Sequence, residues 1–534
     1  MSELMRGVIA AGNPQTAAAG AEMLRQGGNA VDAAVAAAFA SFLAEIGVVH
    51  LGGSGLAQIY DPAARQSTVY DFFSAMPGLG RPGMPSELDF EAVTIDYGAT
   101  TQIFHLGRGS VGVPGNIFGL CQLAADYGRL PLATLLEPAI SLARDGAFLD
   151  QFQADTCELL SPLYTHTPEM RAVFAPGDEM LRAGERVTIP GLVETLSALA
   201  QEGEELARTG RLAQSLLMDQ KEQGGLLTAE DLAAYRVELH SPIRVTYRDC
   251  QILLPPPPSS GGVLTAFALR LLAHFPVALL PWNGADHLRL LYEVMAATTR
   301  ARPVWEELVA TAEPGAAVSA FLDDDFLAPH VAAVHTAWRR DIFSSPLAEA
   351  PGPANTSHLS IIDGNGMAVS LTTTAGESAG YIVPGTGMIP NNILGEEDLN
   401  PQGYHRWPAG RRIPTMMTPA IVLCDGNIRL VTGSGGSNRI RSAILQTLSN
   451  VLDFNLPLEE AVNAPRVHLD GQVLQCEAGY DAAAVTHLEA SGYPVNRWMT
   501  RSIYFGGAHS VAASGAGLTA AGDDRRGGAT AHIG

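Results

Sequence analysis

The amino-terminal part of the chain carries two helical patterns of apolar residues. The first covers residues 16–25 and stops at two glycines, and Asn29 can cap the helix that follows. The second pattern, residues 31–46, is apolar on nearly every face, which predicts a helix buried inside a layer. Because Asp32 and Glu45 interrupt it, this stretch falls short of the roughly 18–20 apolar residues that a membrane span needs.

Strand-like alternation of apolar and polar residues appears on both sides of a helix-rich middle region. We predict strands within residues 51–62, 67–73 and 237–254, and helices within 116–148 and 190–236. After the last of these strands comes the sequence PPPPSSGG. Proline cannot donate to a sheet and glycine permits tight turns, so this sequence predicts a rigid, exposed break before another helix.

The last third of the chain is dominated by strand pairs. Residues 358–374 and 420–433 each contain two alternating strands joined by an Asp/Asn/Gly turn, and residues 510–521 suggest a third pair. Strands packed face to face, with helices such as residues 441–453 outside them, predict a layered α/β (α+β) fold rather than a doubly wound sheet. We place the main boundary in the Pro/Ala/Gly-rich stretch at residues 346–355.

Composition supports a globular protein. The chain has 534 residues, of which 47% are hydrophobic and 16% charged, with 56 glycines and 34 prolines. At about 150 residues per domain this length suggests two to four domains, or one large layered unit.

The charge balance limits the kinds of partner. Lys and Arg number 33 against 55 Asp and Glu, a net charge of −22, and no basic patch is evident. This balance opposes nucleic acid and anionic membranes as partners. The amino-terminal residues lack the apolar segment of a signal peptide, so we expect a cytoplasmic protein.

Cysteine usage gives no sign of a disulfide framework or a zinc site. The five cysteines are an odd number, lie far apart, and show no C-x-x-C spacing. We therefore expect neither, and we predict no metal ligand set.

Two local motifs suggest other functions, but the residues around them argue against both interpretations. Residues 376–380 match the G-x-S-x-G serine elbow, but Pro384, Gly385 and Gly387 make the required helix after Ser378 improbable. Two G-x-G sequences, at residues 53–55 and 433–435, lack the third glycine of a dinucleotide-binding motif.

A further set of motifs extends over nearly the whole chain. Asn355-Thr356-Ser357-His358 stands where the Pro/Ala/Gly-rich stretch meets a predicted strand, and the next strand ends in three threonines. With these belong GGNAVDAAVA, LGGSG, GSVGVPGN, LARDGAF, GGLLTAEDLAAY, PPPSSGG, TGSGGSNRI and NAPRVH, at residues 27–36, 51–55, 109–116, 142–148, 224–235, 256–262, 432–440 and 463–468. In these motifs the chain resembles the γ-glutamyltranspeptidase (glutathione hydrolase) family of N-terminal-nucleophile hydrolases.

The resemblance implies an αββα sandwich without a cofactor, made from a precursor that cuts itself. Cleavage between Asn355 and Thr356 would leave a large subunit, residues 1–355, and a small subunit, residues 356–534, which together form one catalytic unit. The two subunits would make a heterodimer, with a dimer of heterodimers as a possible larger assembly.

The resemblance also implies the catalytic residues. Thr356 would be the nucleophile, and its freed α-amine, with a reference pKa of about 7.7–8.0, can accept the proton of its own hydroxyl. Thr374 matches the threonine that hydrogen-bonds this nucleophile. Gly435 and Gly436 match the pair whose N–H groups form the oxyanion hole. His358 also matches a family position, but we expect it only to pack within a strand.

At the substrate-binding positions the sequence departs from the best-known family members. Phe73 stands where they have a carboxylate-binding arginine, and Thr415 and Met416 replace a serine pair. An asparagine becomes Gly376, while Glu396 matches the acidic residue that meets the substrate's α-amine. A phenylalanine cannot bind carboxylate as an arginine does.

Three explanations for these departures remain open: another arginine (Arg411, Arg412 or Arg439) substitutes, the substrate is a smaller or differently shaped acid amide, or activity is weak. The first function hypothesis is hydrolysis or transfer of γ-glutamyl amides such as glutathione. The alternative is an amidohydrolase acting on a small acid amide such as oxamate, or a glutaryl-type acylase. A catalytically silent scaffold is the non-enzyme alternative. Because the stretch from Glu397 to Arg412 is short, we expect a cleft without a long lid.

Overall fold

A computed structural model describes residues 6–96, 101–340, 356–400 and 403–534. The boundary predicted at residues 346–355, with Asn355, lies outside these ranges. The α-helices are Pro14–Arg25 (α1), Ala30–Ala44 (α2), Asn116–Tyr127 (α3), Leu132–Asp145 (α4), Gln151–Leu159 (α5), Ser161–Tyr164 (α6), Pro168–Phe174 (α7), Leu192–Glu202 (α8), Glu205–Arg208 (α9), Arg211–Glu222 (α10), Ala229–Ala234 (α11), Ser260–Leu272 (α12), Ala285–Thr311 (α13), Pro314–Phe321 (α14), Asp324–Arg340 (α15), Arg439–Leu452 (α16), Leu458–Asn463 (α17) and Ala482–Ala490 (α18).

The strands form two large antiparallel sheets and several short ribbons. They are Gly7–Ala11 (β1), Ser54–Asp61 (β2), Gln66–Phe72 (β3), Glu91–Asp96 (β4), Thr101–Leu106 (β5), Ala147–Phe148 (β6), Arg186–Val187 (β7), Glu238–His240 (β8), Ile243–Tyr247 (β9), Cys250–Leu254 (β10), Ser357–Asp363 (β11), Ala368–Thr374 (β12), Ala420–Cys424 (β13), Asn427–Thr432 (β14), Val467–Asp470 (β15), Val473–Cys476 (β16), Val495–Arg497 (β17), Ser510–Ser514 (β18), Gly517–Ala521 (β19) and Ala529–Ile533 (β20).

Both large sheets combine strands from the two sides of residue 356. The first has the order β20-β1-β11-β12-β2-β3-β8 and the second the order β19-β18-β14-β13-β10-β9. In the first sheet the hairpin β11–β12 lies between β1 and β2. A chain cut before β11 would therefore keep its two parts joined through strand pairing within each sheet.

Side-chain alternation along the strands separates three apolar layers. Val8 and Ile362 of the first sheet pack against Ile421 and Val431 of the second. Ile9, which alternates with Val8, faces the helices α1 to α4 on the outer side of the first sheet. On the outer side of the second sheet a separate cluster packs α12, α13 and α16 against β10 and β13. The fold is thus an αββα sandwich, as predicted.

The amino-terminal helices follow their sequence signals. Asn29 accepts hydrogen bonds from the N–H groups of Val31 and Asp32, and the Asp32 carboxylate accepts one from the Asn29 N–H. This capping box starts α2, whose residues are all buried, so the prediction of a helix inside a layer is confirmed.

The prediction that the PPPPSSGG sequence is exposed is wrong. Most of residues 255–262 are buried, because the segment packs against the chain around Thr415. The Thr415 N–H donates to the Pro258 carbonyl at 3.1 Å, and the Ser259 hydroxyl donates to the Met417 carbonyl at 2.7 Å. Ser259 also caps α12, which therefore begins at Ser260, earlier than the sequence indicated.

The structure contains one disulfide, although the sequence showed no sign of a disulfide framework. Cys250 on β10 and Cys424 on β13 face each other across an antiparallel pair, with their Cα atoms 4.3 Å apart, and form a disulfide. Because 174 residues separate them in sequence, only the pairing of β10 with β13 brings them together. Cys121, Cys157 and Cys476 are free.

No helix in the described part of the chain is long and apolar enough to cross a membrane.

The disulfide gives a test of chain connectivity, because Cys250 and Cys424 lie on opposite sides of the predicted cleavage point. After cleavage between Asn355 and Thr356, we expect one covalent species in non-reducing electrophoresis that dithiothreitol separates into two chains. Cys250→Ser should give two chains without reductant, while Cys121→Ser should behave as wild type. Two separate wild-type chains in non-reducing gels would contradict this expectation.

Candidate active site

The hairpin β11–β12 brings two predicted catalytic threonines to one place. Ser357 pairs with Thr373, so the same register continued by one residue sets Thr356 opposite Thr374. Both threonines are almost fully buried, with exposed fractions of 5% for Thr356 and 6% for Thr374. The Thr374 hydroxyl accepts a hydrogen bond from the Gly376 N–H at 3.0 Å.

Gly435, the first of the two predicted oxyanion glycines, lies directly against Thr356. Both glycines follow β14, and Gly435 forms a bridge to Gly507. A Cβ atom added to Gly435 would lie 2.1 Å from the Thr356 carbonyl oxygen, and Gly436 has a φ of +115°. Only glycine fits both positions, because the first has no space for a side chain and the second has a backbone conformation that other residues avoid. The structure therefore brings Thr356, Thr374 and the two glycines together.

A buried carboxylate supports the residue after Thr356. The Ser357 hydroxyl donates to Glu45 Oε2 at 2.5 Å, and the Thr16 hydroxyl donates to Glu45 Oε1 at 2.7 Å. Burial raises the pKa of Glu45 to about 7, although these two hydrogen bonds oppose the rise. Glu45 therefore connects the end of α2 to the start of β11.

A buried guanidinium lies on the other side of Thr356. Arg526 Nη1 donates to the Thr356 carbonyl at 3.3 Å, and Nη2 donates to the Ile503 carbonyl at 3.4 Å. A Cβ atom on Gly435 would lie 3.0 Å from Nη1, and one on Gly436 would lie 3.4 Å from Nη2. Arg526 thus lies against both glycines, of which Gly435 also lies against Thr356.

His358 is held inside the first sheet. Its Nδ1 lies 2.8 Å from the Thr372 hydroxyl and its Nε2 lies 2.9 Å from the Ser360 hydroxyl. Burial, with the nearby His509, lowers the pKa of His358 well below its usual value. A neutral imidazole with both nitrogens engaged fits the packing role expected for it.

Glu396 lies close to the end of β12, the strand that pairs with β11. A Cβ atom on Gly376 would be 2.2 Å from Glu396 Oε1 and 2.3 Å from Asn392 Oδ1. Asn392 in turn accepts from the N–H groups of Glu377 and Ser378. Gly376 therefore lets the Glu396 carboxylate approach the backbone two residues past Thr374.

Phe73 is completely enclosed by apolar side chains. Its exposed fraction is 0%. The cluster around it contains Leu56, Met76, Leu226, Ile393, Leu394, Ile413 and Met417. This position offers substrate neither a positive charge nor an open surface.

A cavity of about 610 Å³ opens beside Thr415 and Met416. Its lining includes Arg302, whose Nη1 donates to Asn438 Oδ1 at 3.3 Å, two residues past Gly436. Thr356, Thr374, Glu396, Gly435 and Phe73 do not line it. The structure therefore separates Thr415 and Met416, which line this cavity, from the buried group around Thr356 and from the apolar cluster that contains Phe73.

The three arginines considered as substitutes for the missing cation have other contacts. Arg412 Nε lies 3.1 Å from Asp71 Oδ2, and its guanidinium stacks over Tyr235. Arg411 stacks over Trp407 at the cavity. Arg439 stacks over Tyr504 and donates to its carbonyl at 3.1 Å.

One group in the described residues has the donor atoms for a metal ion. Potential ligand atoms of Asp71, Glu238 and His240 lie within 4.8 Å of one another. The Arg412 guanidinium lies at the same place, 3.1 Å from Asp71 and 4.0 Å from Glu238. This positive charge neutralises the carboxylates and opposes a cation there.

The serine-elbow motif lacks its structural context. Ser378 is fully buried, and its hydroxyl accepts a hydrogen bond from the Gly380 N–H. The chain from Ala375 to Asn392, all of it described, contains no helix. The sequence-based rejection of this motif agrees with the backbone.

Comparison with known proteins adds to this geometry. The family model for gamma-glutamyltranspeptidase matches residues 16–533. The chain belongs to the γ-glutamyltranspeptidase family. Its members of known name include amide hydrolases, so this chain is an enzyme that hydrolyses amides.

Two relatives and one solved structure show how this γ-glutamyltranspeptidase family member compares. It is 33% identical over 501 residues to the acylase ACY 1 proenzyme of Pseudomonas sp. strain SE83, covering 92% of this chain and 88% of that protein. It is 30% identical over 526 residues to the glutathione hydrolase proenzyme of Escherichia coli strain K12, covering 92% and 86%. The crystal structure of cephalosporin acylase from Bacillus halodurans superposes with a TM-score of 0.82 at 24% identity, covering 99% of this chain and 96% of that chain, and shows the same fold.

The sequence of this family member did not identify Glu45 or Arg526 as part of the site. Glu45 entered only as an interruption of an apolar helix, and a charged residue in a stretch predicted to be buried was a usable signal. Arg526 gave no signal, because the sequence does not show which arginine becomes buried.

The raised pKa of Glu45 predicts a pH-dependent stability. Its value rises from 4.5 to about 7 on folding, so its favourable contribution is complete below pH 4.5 and is lost as pH rises through 7. Between pH 5 and 8 we expect the wild-type Tm to fall relative to that of Glu45→Gln, with a difference equivalent to about 3 kcal/mol at most. Calorimetry across this range measures it.

The exposed Glu222→Gln variant is the matched control for this experiment. Its Tm should follow the wild type at every pH. If Glu45→Gln and wild type keep a constant difference in Tm from pH 5 to 8, Glu45 does not titrate as described.

Proposed function

We propose that this protein is a self-processing amidohydrolase in which Thr356 becomes an amino-terminal nucleophile. The observation that carries the proposal is the meeting of Thr356 with Thr374, Gly435 and Gly436 at the end of one buried hairpin. Family membership and the proenzyme names of two relatives support it.

Processing requires an acyl shift from nitrogen to oxygen at the start of β11, followed by hydrolysis of the ester. The Thr356 hydroxyl attacks the Asn355 carbonyl, the peptide bond becomes an ester, and water hydrolyses that ester. The products are the Asn355 carboxylate and the free α-amine of Thr356. Relatives with proenzyme names fit two subunits from one precursor.

In the processed enzyme the freed amine acts as the base for the Thr356 hydroxyl. The hydroxyl attacks the substrate amide carbonyl, and the N–H groups of Gly435 and Gly436 stabilise the oxyanion. Removing one such donor in comparable sites costs roughly 3–4 kcal/mol of barrier. The amine leaves with a proton, and water or an amine acceptor then takes the acyl group from Thr356. Thr374 holds the nucleophile's hydroxyl across the hairpin.

For the acyl donor we propose γ-glutamyl amides such as glutathione as the first class. The 30% identical relative named as a glutathione hydrolase supports this class. The buried Glu396 is the acidic residue that would meet the donor's α-amine. Thr415 and Met416, on the adjacent cavity, would contact the substrate's outer part.

A second class, a small acid amide such as oxamate or a glutaryl-type amide, is favoured by a different observation. Phe73 lies in a closed apolar cluster where the carboxylate-binding cation was expected. Neither oxamate nor a glutaryl group has an α-amino-acid head to bind. The relative with 33% identity named as an acylase supports this class. A dimer of heterodimers and a cytoplasmic location stay predictions.

Intact mass of the purified protein tests the nucleophile. We expect wild type, after reduction, to give two chains split between Asn355 and Thr356, and Thr356→Ala to stay whole because it has no attacking hydroxyl. Ser378→Ala is the control and should be processed, since the one hydrogen bond of its hydroxyl within the described ranges is to the nearby Gly380 N–H. A wild-type chain that stays whole would contradict the proposal.

Product analysis separates the two substrate classes. On processed wild type we measure glutamate released from glutathione and ammonia released from oxamate. Glutamate release with no turnover of oxamate is the expected result for the first class, and the reverse is expected for the second. Thr356→Ala should release neither product, because it lacks the nucleophile.

A further inference from the structure

Arg526 differs from Arg412, Arg466 and Arg525 because it has no carboxylate partner among the described residues. Arg466 Nη2 lies 2.6 Å from Asp523 Oδ2, Arg525 Nη2 lies 2.5 Å from Glu477 Oε2, and Arg412 Nε lies 3.1 Å from Asp71. No carboxylate of the described residues forms an ion pair with Arg526. Within the described residues its guanidinium makes two long hydrogen bonds, to the carbonyls of Thr356 and Ile503.

The third nitrogen of this guanidinium, Nε, has no hydrogen-bond partner among the described residues. This nitrogen is itself buried. The side chain is enclosed as well, with an exposed fraction of 5%. A buried charge without a partner is costly, and such groups in proteins normally pair or bind a ligand.

The guanidinium nevertheless stays charged at neutral pH. Burial, together with the neighbouring charge of Arg439, lowers the pKa of Arg526 to about 10. Glu377 and Asp523 favour the charged form from a distance, and Arg466 opposes it. The place beside Thr356 therefore carries a positive charge that an anionic ligand would neutralise.

We propose that Arg526 binds the carboxylate of the acyl donor and supplies the cation that Phe73 does not. This inference rests on the proposed function, because it takes Thr356 as the nucleophile and Gly435 and Gly436 as the oxyanion hole. It assigns a binding role to a residue that the sequence resemblance did not indicate.

The position of Arg526 also limits the length of the donor. A Cβ atom added to Gly435 or Gly436, the glycines that would hold the oxyanion, would lie 3.0 or 3.4 Å from a terminal nitrogen of Arg526. A carboxylate on this guanidinium therefore lies only a few ångströms from the carbonyl under attack. The donor class is an amide whose carboxylate is separated from the scissile carbonyl by few or no carbons, with oxalyl amides the shortest case.

The test uses 4-nitroanilides of oxalic, succinic and glutaric acid, each as the free acid and as the isosteric neutral carboxamide. The readout is the ratio of kcat/KM for the acid to kcat/KM for the carboxamide, measured on processed enzyme. For wild type we expect a ratio well above one that is largest for the oxalyl pair. A wild-type ratio near one for all three pairs would overturn the proposal without any variant.

Variants assign the acid preference to Arg526. Arg526→Gln should lower the acid-to-carboxamide ratio by about 30-fold or more, the usual effect of removing one member of a buried charge pair. Arg526→Lys, which keeps the charge but not the bidentate geometry, should retain part of the preference. Arg182→Gln, an exposed arginine on the surface, should match wild type.

The outcomes also separate this inference from the proposed function. If Arg526→Gln or Arg526→Lys lowers turnover of acid and carboxamide equally, Arg526 only supports Thr356 and the inference is wrong while the nucleophile stands. If Arg411→Gln removes the acid preference and Arg526→Lys does not change it, the carboxylate binds at the cavity and the inference is wrong. If wild type is never processed, the proposed function itself fails.

Discussion

The register of one β-hairpin is the constraint on which the site depends. Ser357 pairs with Thr373, and this register sets Thr356 across from Thr374. A slip of one residue would turn every side chain of the hairpin to the opposite face of its sheet. Both faces are buried in the sandwich, so the register is strongly fixed. Because β11 and β12 occupy the middle of the first sheet, all surrounding layers help to hold it.

Buried ionisable side chains then fix the two sides of Thr356. On one side Glu45 holds Ser357 and Thr16 through short hydrogen bonds. On the other, the segment that carries Arg526 is anchored by Asp523, which accepts from the Ala508 N–H and from the guanidiniums of Arg466 and Arg525.

The charges around Asp523 are balanced, whereas the charge of Arg526 beside Thr356 is not paired with a carboxylate of the described residues. Burial raises the pKa of Asp523, but Arg466 and Arg525 outweigh it and hold the pKa well below its usual range. Asp523 is therefore ionised at neutral pH, and it balances the charges of Arg466 and Arg525. Arg526, the residue after Arg525, forms no ion pair with a carboxylate of the described residues. This difference distinguishes an arginine that stabilises the fold from one that is suited to bind a ligand.

Much of this protein follows from its sequence alone. The strand pairs of the last third and the buried helix α2 with its Asn29 cap were predicted, because turn residues and apolar periodicity are local signals. The αββα layering was predicted from the family resemblance. The family motifs also placed Thr356 and Thr374 at the ends of adjacent strands. Local signals of this kind do not depend on the rest of the molecule.

The tertiary structure decided what depends on distant residues meeting. Cys250 and Cys424 pair only because β10 lies beside β13, and the PPPPSSGG segment is buried only because residues around Thr415 cover it. Likewise, no local pattern distinguishes Arg526 from Arg411, since burial and contact with Thr356 arise from chain segments 170 residues apart. The sequence motifs thus identify Thr356 as the candidate nucleophile, whereas the charge around it is a property of the folded molecule.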